Sequence, residues 1–141
     1  MEQISYKGGY KYQLAEDYVT NIDIVASTEN ITTHFINLST AGELIIKRGY
    51  AWDGPSGPTF DTLNFMRGSL VHDALYQLMR NEKLDNEICR DPADRLLKKM
   101  CREDGMNWLR ASWVYWALHK WGNPAADPSH KKPVVNAPRS I

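Results

Sequence analysis

The spacing of apolar residues changes partway along the chain, from the period of a β-strand to that of an α-helix. Residues 1–52 are predicted to form β structure, with β-rich runs at 31–38 and 43–47 on either side of a polar turn that ends at Gly42. This arrangement is typical of a β-hairpin. Residues 52–58 hold two glycines, two prolines and a serine, which interrupt both periods and predict a loop.

Helical spacing begins after the loop. A first helix is predicted to begin between residues 62 and 65 and to end near Arg80, with apolar residues on one stripe at 71, 74, 75 and 78. A third helix is predicted over residues 107–121, which contain four of the five tryptophans.

Between these two helices, the segment around Asp91 carries the signals of a second helix. Asp91 suits the N-cap, Pro92 suits the first helical position, and Asp94 then falls in the first turn. The helix is predicted to stop at Gly105, because glycine is favoured just after a helix ends.

The predicted elements define an α+β protein with a small antiparallel sheet followed by three α-helices. Its 141 residues are enough for one domain with a core and too few for two ordinary ones. We therefore predict a single α+β domain over residues 1–122. Residues 123–141 contain four prolines and are predicted to form an extended tail.

Composition narrows the possible partners. Seventeen basic and seventeen acidic residues cancel, so no global field attracts nucleic acid or an anionic membrane, and no nucleic-acid partner is expected. The N-terminal residues lack the pattern of a signal peptide, no apolar run approaches the ~20 residues of a membrane span, and residence in cytoplasm is expected. Cys89 and Cys101 lack metal-site spacing and are expected to be free, packed thiols.

A polar stripe lies opposite the apolar stripe of the first helix. It consists of Ser69, His72, Asp73, Tyr76 and Arg80. Three interpretations stay open: a solvated helix face, a buried network that ties helices together, or a reactive site.

The reactive interpretation follows from the chemistry of histidine. A histidine is an effective general base when a carboxylate holds one ring nitrogen and the other nitrogen faces water. The candidate catalytic residues are therefore His72 as the base, Asp94 as the group that orients it, and Tyr76 one turn later. Carboxylates and backbone carbonyls suit a hard cation such as Ca²⁺. The candidate ligands of such a cation are Asp73, Asp53, Gly54 and Gly57, with Asp61 as an alternative source of the second carboxylate.

Four segments carry a resemblance: GYAWDGPSGPTFDT at 49–62, SLVHDALYQLMR at 69–80, DPADRLLKKM at 91–100 and RASWVYWAL at 110–118. In this order they resemble the phage and prophage family called domain of unknown function 1353. The resemblance covers roughly residues 10–122. It implies a phage origin and synthesis in the host cytoplasm, and it does not assign an activity.

A second, local resemblance covers roughly residues 52–97. This region is similar to the calcium loop and His-Asp-x-x-Tyr helix of secreted bacterial phospholipase A2. The resemblance implies that Asp73 and the loop at 53–57 hold Ca²⁺, that His72 activates water, and that Asp94 orients His72. The β half, the missing disulfides and the missing secretion signal depart from that family.

The tryptophans of the third helix do not share one face, which favours a helix buried on several sides. The alternative is an interface for self-association or for a phage or host protein, formed by this helix and the tail. Two functions are therefore predicted. One is a metal-assisted hydrolase of an ester or another envelope bond, with His72 as its base. The other is a non-catalytic virion or assembly component, or an inhibitor of a host factor, in which His72 and Asp94 form a structural clamp.

Overall fold

A computed structural model describes the chain at residues 6–7, 12–24, 28–52 and 63–121. The described residues form a β half followed by helices, and the predicted α+β class is confirmed. The strands are β1 (Tyr6–Lys7), β2 (Tyr12–Leu14), β3 (Tyr18–Asn21), β4 (Ile31–Thr32), β5 (Ile36–Leu38), β6 (Glu43–Ile46) and β7 (Ala51–Trp52). The helices are α1 (Leu63–Arg80), α2 (Asn86–Glu103) and α3 (Trp108–Trp121).

The strands form two small antiparallel sheets, in the orders β1-β2-β7 and β3-β6-β5-β4. In the larger sheet Ile36 pairs with Ile46 and Leu38 with Leu44. These four side chains are at most 1% exposed, because alternate residues of a strand point to the same face and that face meets the core.

The predicted hairpin is present between β5 and β6. Gly42 has a φ of +88°, which a turn at this position needs and which glycine adopts without strain. The run at 31–38 was wrongly predicted as one strand. Its backbone reverses at Thr33, whose hydroxyl donates to the Ile36 carbonyl and accepts the Ile36 N–H, so β4 folds back on β5.

Helix α1 lies at the centre of the described fold. Its predicted apolar stripe is at most 1% exposed, and Ser69 and Tyr76 on the polar stripe are buried as well. A solvated face is therefore the wrong interpretation for these two residues. Helix α1 packs against α2, and α2 in turn packs against α3.

The start of α2 was predicted wrongly. The helix begins at Asn86, and its N-cap is Asp85, whose carboxylate accepts the N–H groups of Glu87 and Ile88 at 2.9 and 3.4 Å. Asp91 and Pro92 therefore lie inside the helix. The extra turn packs the Cys89 side chain into the core, a tertiary contact that overrides the local cap signal.

The other helix boundaries agree with the predictions within a residue or two. Helix α2 ends at Glu103, and Gly105 has a φ of +101°. Asn107 accepts the Arg110 N–H and caps α3. The expectation that α3 is buried on several sides is wrong, because Trp108, Trp113 and Trp116 are 61%, 42% and 50% exposed. The predicted tail lies outside the described residues. Among the described helices, none has the length and apolar character to cross a membrane.

Removing the α2 cap tests this helix start. Asp85→Ala should lower the free energy of unfolding by ~1 kcal/mol, because two N–H groups of the first turn lose their acceptor. Asp85→Asn is the matched control and should stay within a few tenths of wild type, since the amide oxygen still accepts. Urea unfolding followed by circular dichroism measures both, and equal stability of Asp85→Ala and wild type would contradict the assigned cap.

Candidate functional site

The candidate site is built on a carboxylate buried between two helices. Asp94, in the middle of α2, is 0% exposed. Its Oδ1 lies 2.6 Å from His72 Nε2 and accepts the Tyr76 hydroxyl at 2.6 Å. The predicted contact between His72 and Asp94 is therefore present, and Tyr76 joins it.

The sequence spacing explains why both donors reach one oxygen. His72 and Tyr76 are four residues apart on α1, so they lie one turn apart on the same face. Their rings contact each other, with centroids 4.0 Å apart. Asp94 approaches this face from α2, and its Oδ2 accepts no hydrogen bond within the part of the chain described.

Burial fixes the protonation of the tyrosine. Removal from water, followed by the nearby Asp94 carboxylate, raises the pKa of Tyr76 well above its ordinary value. Tyr76 therefore stays protonated at neutral pH and serves as a hydrogen-bond donor. It is neither a base nor a nucleophile there.

The carboxylate also selects the tautomer of the histidine. When Asp94 accepts a hydrogen bond from Nε2–H, a neutral His72 has Nδ1 as its unprotonated nitrogen. The His72 side chain is 11% exposed, whereas Asp94 is wholly enclosed. This is the arrangement of a base that is held from behind by a carboxylate.

Asp73 belongs to a separate pair, although it is adjacent to His72. Its Oδ2 accepts the Tyr50 hydroxyl at 2.5 Å, and Tyr50 Oη also lies 3.3 Å from Gln77 Oε1. Burial first, and then Asp73, raises the pKa of Tyr50 well above its ordinary value. Neighbouring residues on a helix point about 100° apart, so His72 turns toward α2 while Asp73 turns toward the β half.

The candidate calcium ligands are described only in part. Asp73 is placed next to Tyr50, whereas Asp53, Gly54, Gly57 and Asp61 lie outside the described residues. Within the described ranges, no group of three or more His, Cys, Asp or Glu side chains is arranged to hold a metal ion. One carboxylate does not complete the shell of six to eight oxygens that Ca²⁺ takes, so calcium stays a prediction.

The sequence pattern gave no signal for several further polar contacts of α1. Ser69 accepts the Trp52 indole N–H at 3.1 Å, which ties α1 to the end of the β half. Arg67 donates through Nε to both carboxylate oxygens of Asp104 at 3.1 and 2.9 Å, and it also donates to the Tyr18 hydroxyl. These partners are far apart in sequence, so helical spacing does not reveal them.

The cysteines take no part in the site. Both are free and buried, as predicted. Burial raises the pKa of the Cys101 thiol to about 12, so it is not a thiolate at neutral pH.

The fold and the site together define an α+β protein with a buried His–Asp–Tyr network between its first two helices. The chain matches no protein-family model, no curated protein and no solved structure. The two resemblances described above therefore stay predictions.

The raised pKa of Tyr76 predicts a loss of stability at high pH. Above its ordinary pKa of 10.0 the unfolded chain releases this proton while the native chain keeps it. The free energy of unfolding therefore falls as pH rises, by about 1.4 kcal/mol per pH unit for one proton. In urea titrations, Tyr76→Phe should lose about 1 kcal/mol less than wild type from about pH 10 to pH 11, because half of the unfolded tyrosine is already ionised at pH 10. Equal losses in the two proteins would show that the Tyr76 hydroxyl is not retained in its protonated form.

Proposed function

We propose that this protein is a small phage-encoded hydrolase of an ester or another envelope bond, with His72 as its general base. One observation carries the proposal: His72 Nε2 lies 2.6 Å from a carboxylate that is 0% exposed. That contact occupies one ring nitrogen and leaves the other as the acceptor for a proton from water.

The reaction requires a single proton relay. Nδ1 of His72 accepts a proton from water while the water oxygen bonds to the carbonyl carbon of the ester. The tetrahedral intermediate then collapses, the bond to the alcohol oxygen breaks, and the imidazolium returns its proton to that oxygen. An acid and an alcohol are released, and His72 is neutral again.

Asp94 and Tyr76 position the base and stabilise its charged form. The Asp94 carboxylate lies directly against the imidazolium that forms when His72 takes the proton. Tyr76 donates to the same carboxylate oxygen, and its ring lies tilted against the His72 ring, which limits rotation of the imidazole. Both are positioning residues, because neither contacts the water that His72 activates.

Phage origin and the class of bond rest on the resemblances described above. Calcium is a part of the same proposal and would polarise the carbonyl if bound. Asp73 is the described residue that would hold the ion, together with the loop at 53–57. The proton relay through His72 needs no further group.

A second candidate function is favoured by the burial of the network. Asp94 is 0% exposed, and the side chain of His72 is only 11% exposed. In this alternative the His72–Asp94 pair is a structural clamp. The protein would then be a non-catalytic virion or assembly component, or an inhibitor of a host factor.

Substitution of His72 separates these candidates. In the hydrolase, His72→Gln should lower the rate of ester hydrolysis ~10²–10⁴-fold, because the general base is lost. Its side-chain amide still offers an N–H to Asp94, so most of the stability should remain. p-Nitrophenyl esters and fluorogenic phospholipids serve as substrates, and thermal melting reports the stability. His34→Gln is the matched control, since His34 is exposed in the β half and should leave both readouts unchanged.

The clamp gives the opposite pattern. His72→Gln should then cost ~1–3 kcal/mol of stability, because the buried Asp94 loses one of its two partners. Wild-type protein would hydrolyse none of the substrates. That combination would contradict the hydrolase.

Calcium dependence is a separate prediction. Ca²⁺ should raise the melting temperature of the wild type, since an ion that binds only the folded chain stabilises it by about 2.7 kcal/mol at a hundred times its dissociation constant. Asp73→Asn should abolish the shift, and His72→Gln should keep it. Glu43→Gln, at an exposed carboxylate in the β half, is the control. For each protein, the change in melting temperature on adding Ca²⁺ is compared. The melting temperature itself does not serve, because Asp73→Asn also weakens the contact with Tyr50. A wild-type melting curve unchanged by Ca²⁺ would contradict the calcium site. It would not bear on the proton transfer through His72.

A further inference from the structure

Helix α3 exposes a row of large apolar side chains. Trp108, Leu109, Trp113 and Trp116 are 61%, 73%, 42% and 50% exposed, and we call them the α3 aromatic face. Leu109, Trp113 and Trp116 follow the i, i+4, i+7 spacing of one helix stripe. The opposite side of α3 is buried through Ala111 and Val114. Helix α3 therefore has two apolar sides, one packed in the core and one exposed.

The distribution of charge singles out the same region. Residues 107–141 hold five basic residues and one acidic residue, a net charge of +4, whereas residues 1–106 hold twelve basic and sixteen acidic residues, a net charge of −4. The overall neutrality of the chain hides this asymmetry. Helix α3 contains no acidic residue, and its basic residues are Arg110 and Lys120.

We propose that the α3 aromatic face docks on the surface of an anionic lipid bilayer. Tryptophan has an apolar ring system and a polar N–H, which suits the level of the lipid headgroups. Leu109, the most exposed of the four residues, would enter the acyl boundary. The net charge of +4 on residues 107–141, which include α3, would attract this part of the chain to anionic headgroups. This docking is independent of the proposed hydrolase.

The size of the face argues against a second copy of the chain as its occupant. Three partly exposed tryptophans and one leucine offer roughly 400 Å² of apolar surface. A stable interface between two proteins needs about 800 Å² from each partner. A bilayer needs no complementary shape, so a small apolar face suffices when the same part of the chain carries charge opposite to that of the lipid.

The pattern of residues argues against single-stranded nucleic acid. Such sites place basic side chains among the aromatic rings, so that the backbone and the bases are held together. Among residues 108–116, Arg110 is the one charged residue, and it is half-buried. The face is suited to insertion into an apolar layer.

Vesicle flotation with the full chain tests the proposal. Wild-type protein should float with vesicles of equal parts phosphatidylcholine and phosphatidylglycerol, bind pure phosphatidylcholine more weakly, and dissociate as salt is raised. Its tryptophan emission should shift to shorter wavelength and be quenched by brominated lipid. The variant Trp108→Ser/Leu109→Ser should bind about tenfold more weakly or worse. Ile88→Ser is the matched control, because Ile88 is 71% exposed on α2, outside the face, and should bind like wild type.

Several results would overturn the proposal. One is that the wild type fails to float with vesicles at low salt. Others are that the double variant binds vesicles as well as the wild type does, or that Ile88→Ser loses as much binding as the double variant. Sedimentation of a dimer that the double variant abolishes, without vesicle binding, would assign the face to a second copy. Variant-sensitive binding of a labelled oligonucleotide, again without vesicle binding, would assign it to nucleic acid. Circular dichroism of the variants confirms folding, and the quenching measurement uses the wild type alone.

Discussion

A carboxylate that leaves water has to accept hydrogen bonds from its new surroundings, and this requirement sets the packing of the first two helices. Asp94 of α2 accepts from His72 and Tyr76, which lie one turn apart on α1. Two donors on one face fix both the rotation and the register of α1 against α2. The helices come close at Gly68, where an added Cβ would lie 2.7 Å from Leu97 Cδ1.

The same central helix connects the sheet to the helical half. Asp73 and Ser69 bond Tyr50 and Trp52 near the end of the β half. On the polar stripe of α1, Ser69 and Asp73 therefore contact the β half, while His72 and Tyr76 share Asp94 of α2. A histidine held in this way keeps one orientation, and a general base requires that to act on a positioned water.

Local spacing accounts for what the sequence could predict. The hairpin, the ends of α1 and α3, and the stop at Gly105 each follow from a turn residue or from a helical period within the segment itself. The contact between His72 and Asp94 was predictable because each lies at the edge of its helix's apolar stripe. The start of α2 was wrong, because a local cap signal at Asp91 competes with the cap at Asp85 and with burial of Cys89. The pair of Asp73 with Tyr50 joins residues 23 positions apart, and no local pattern encodes it. The exposure of the α3 tryptophans depends on how much of α3 the rest of the fold covers, which composition does not reveal.

The central claim of the proposed function is that Asp94 holds His72 through a proton on Nε2 and leaves Nδ1 free to accept one. Nitrogen-15 NMR of histidine-labelled protein at neutral pH reads this directly, because the protonated and unprotonated ring nitrogens have distinct chemical shifts and couple to different ring protons. The spectrum should show His72 as the Nε2–H tautomer with an unprotonated Nδ1, and Asp94→Asn should disturb that preference while the exposed His34 keeps its wild-type spectrum. A proton on Nδ1 in the wild type, in either the Nδ1–H tautomer or the imidazolium, would leave no free nitrogen to accept a proton from water, and it would contradict the role of His72 as the base.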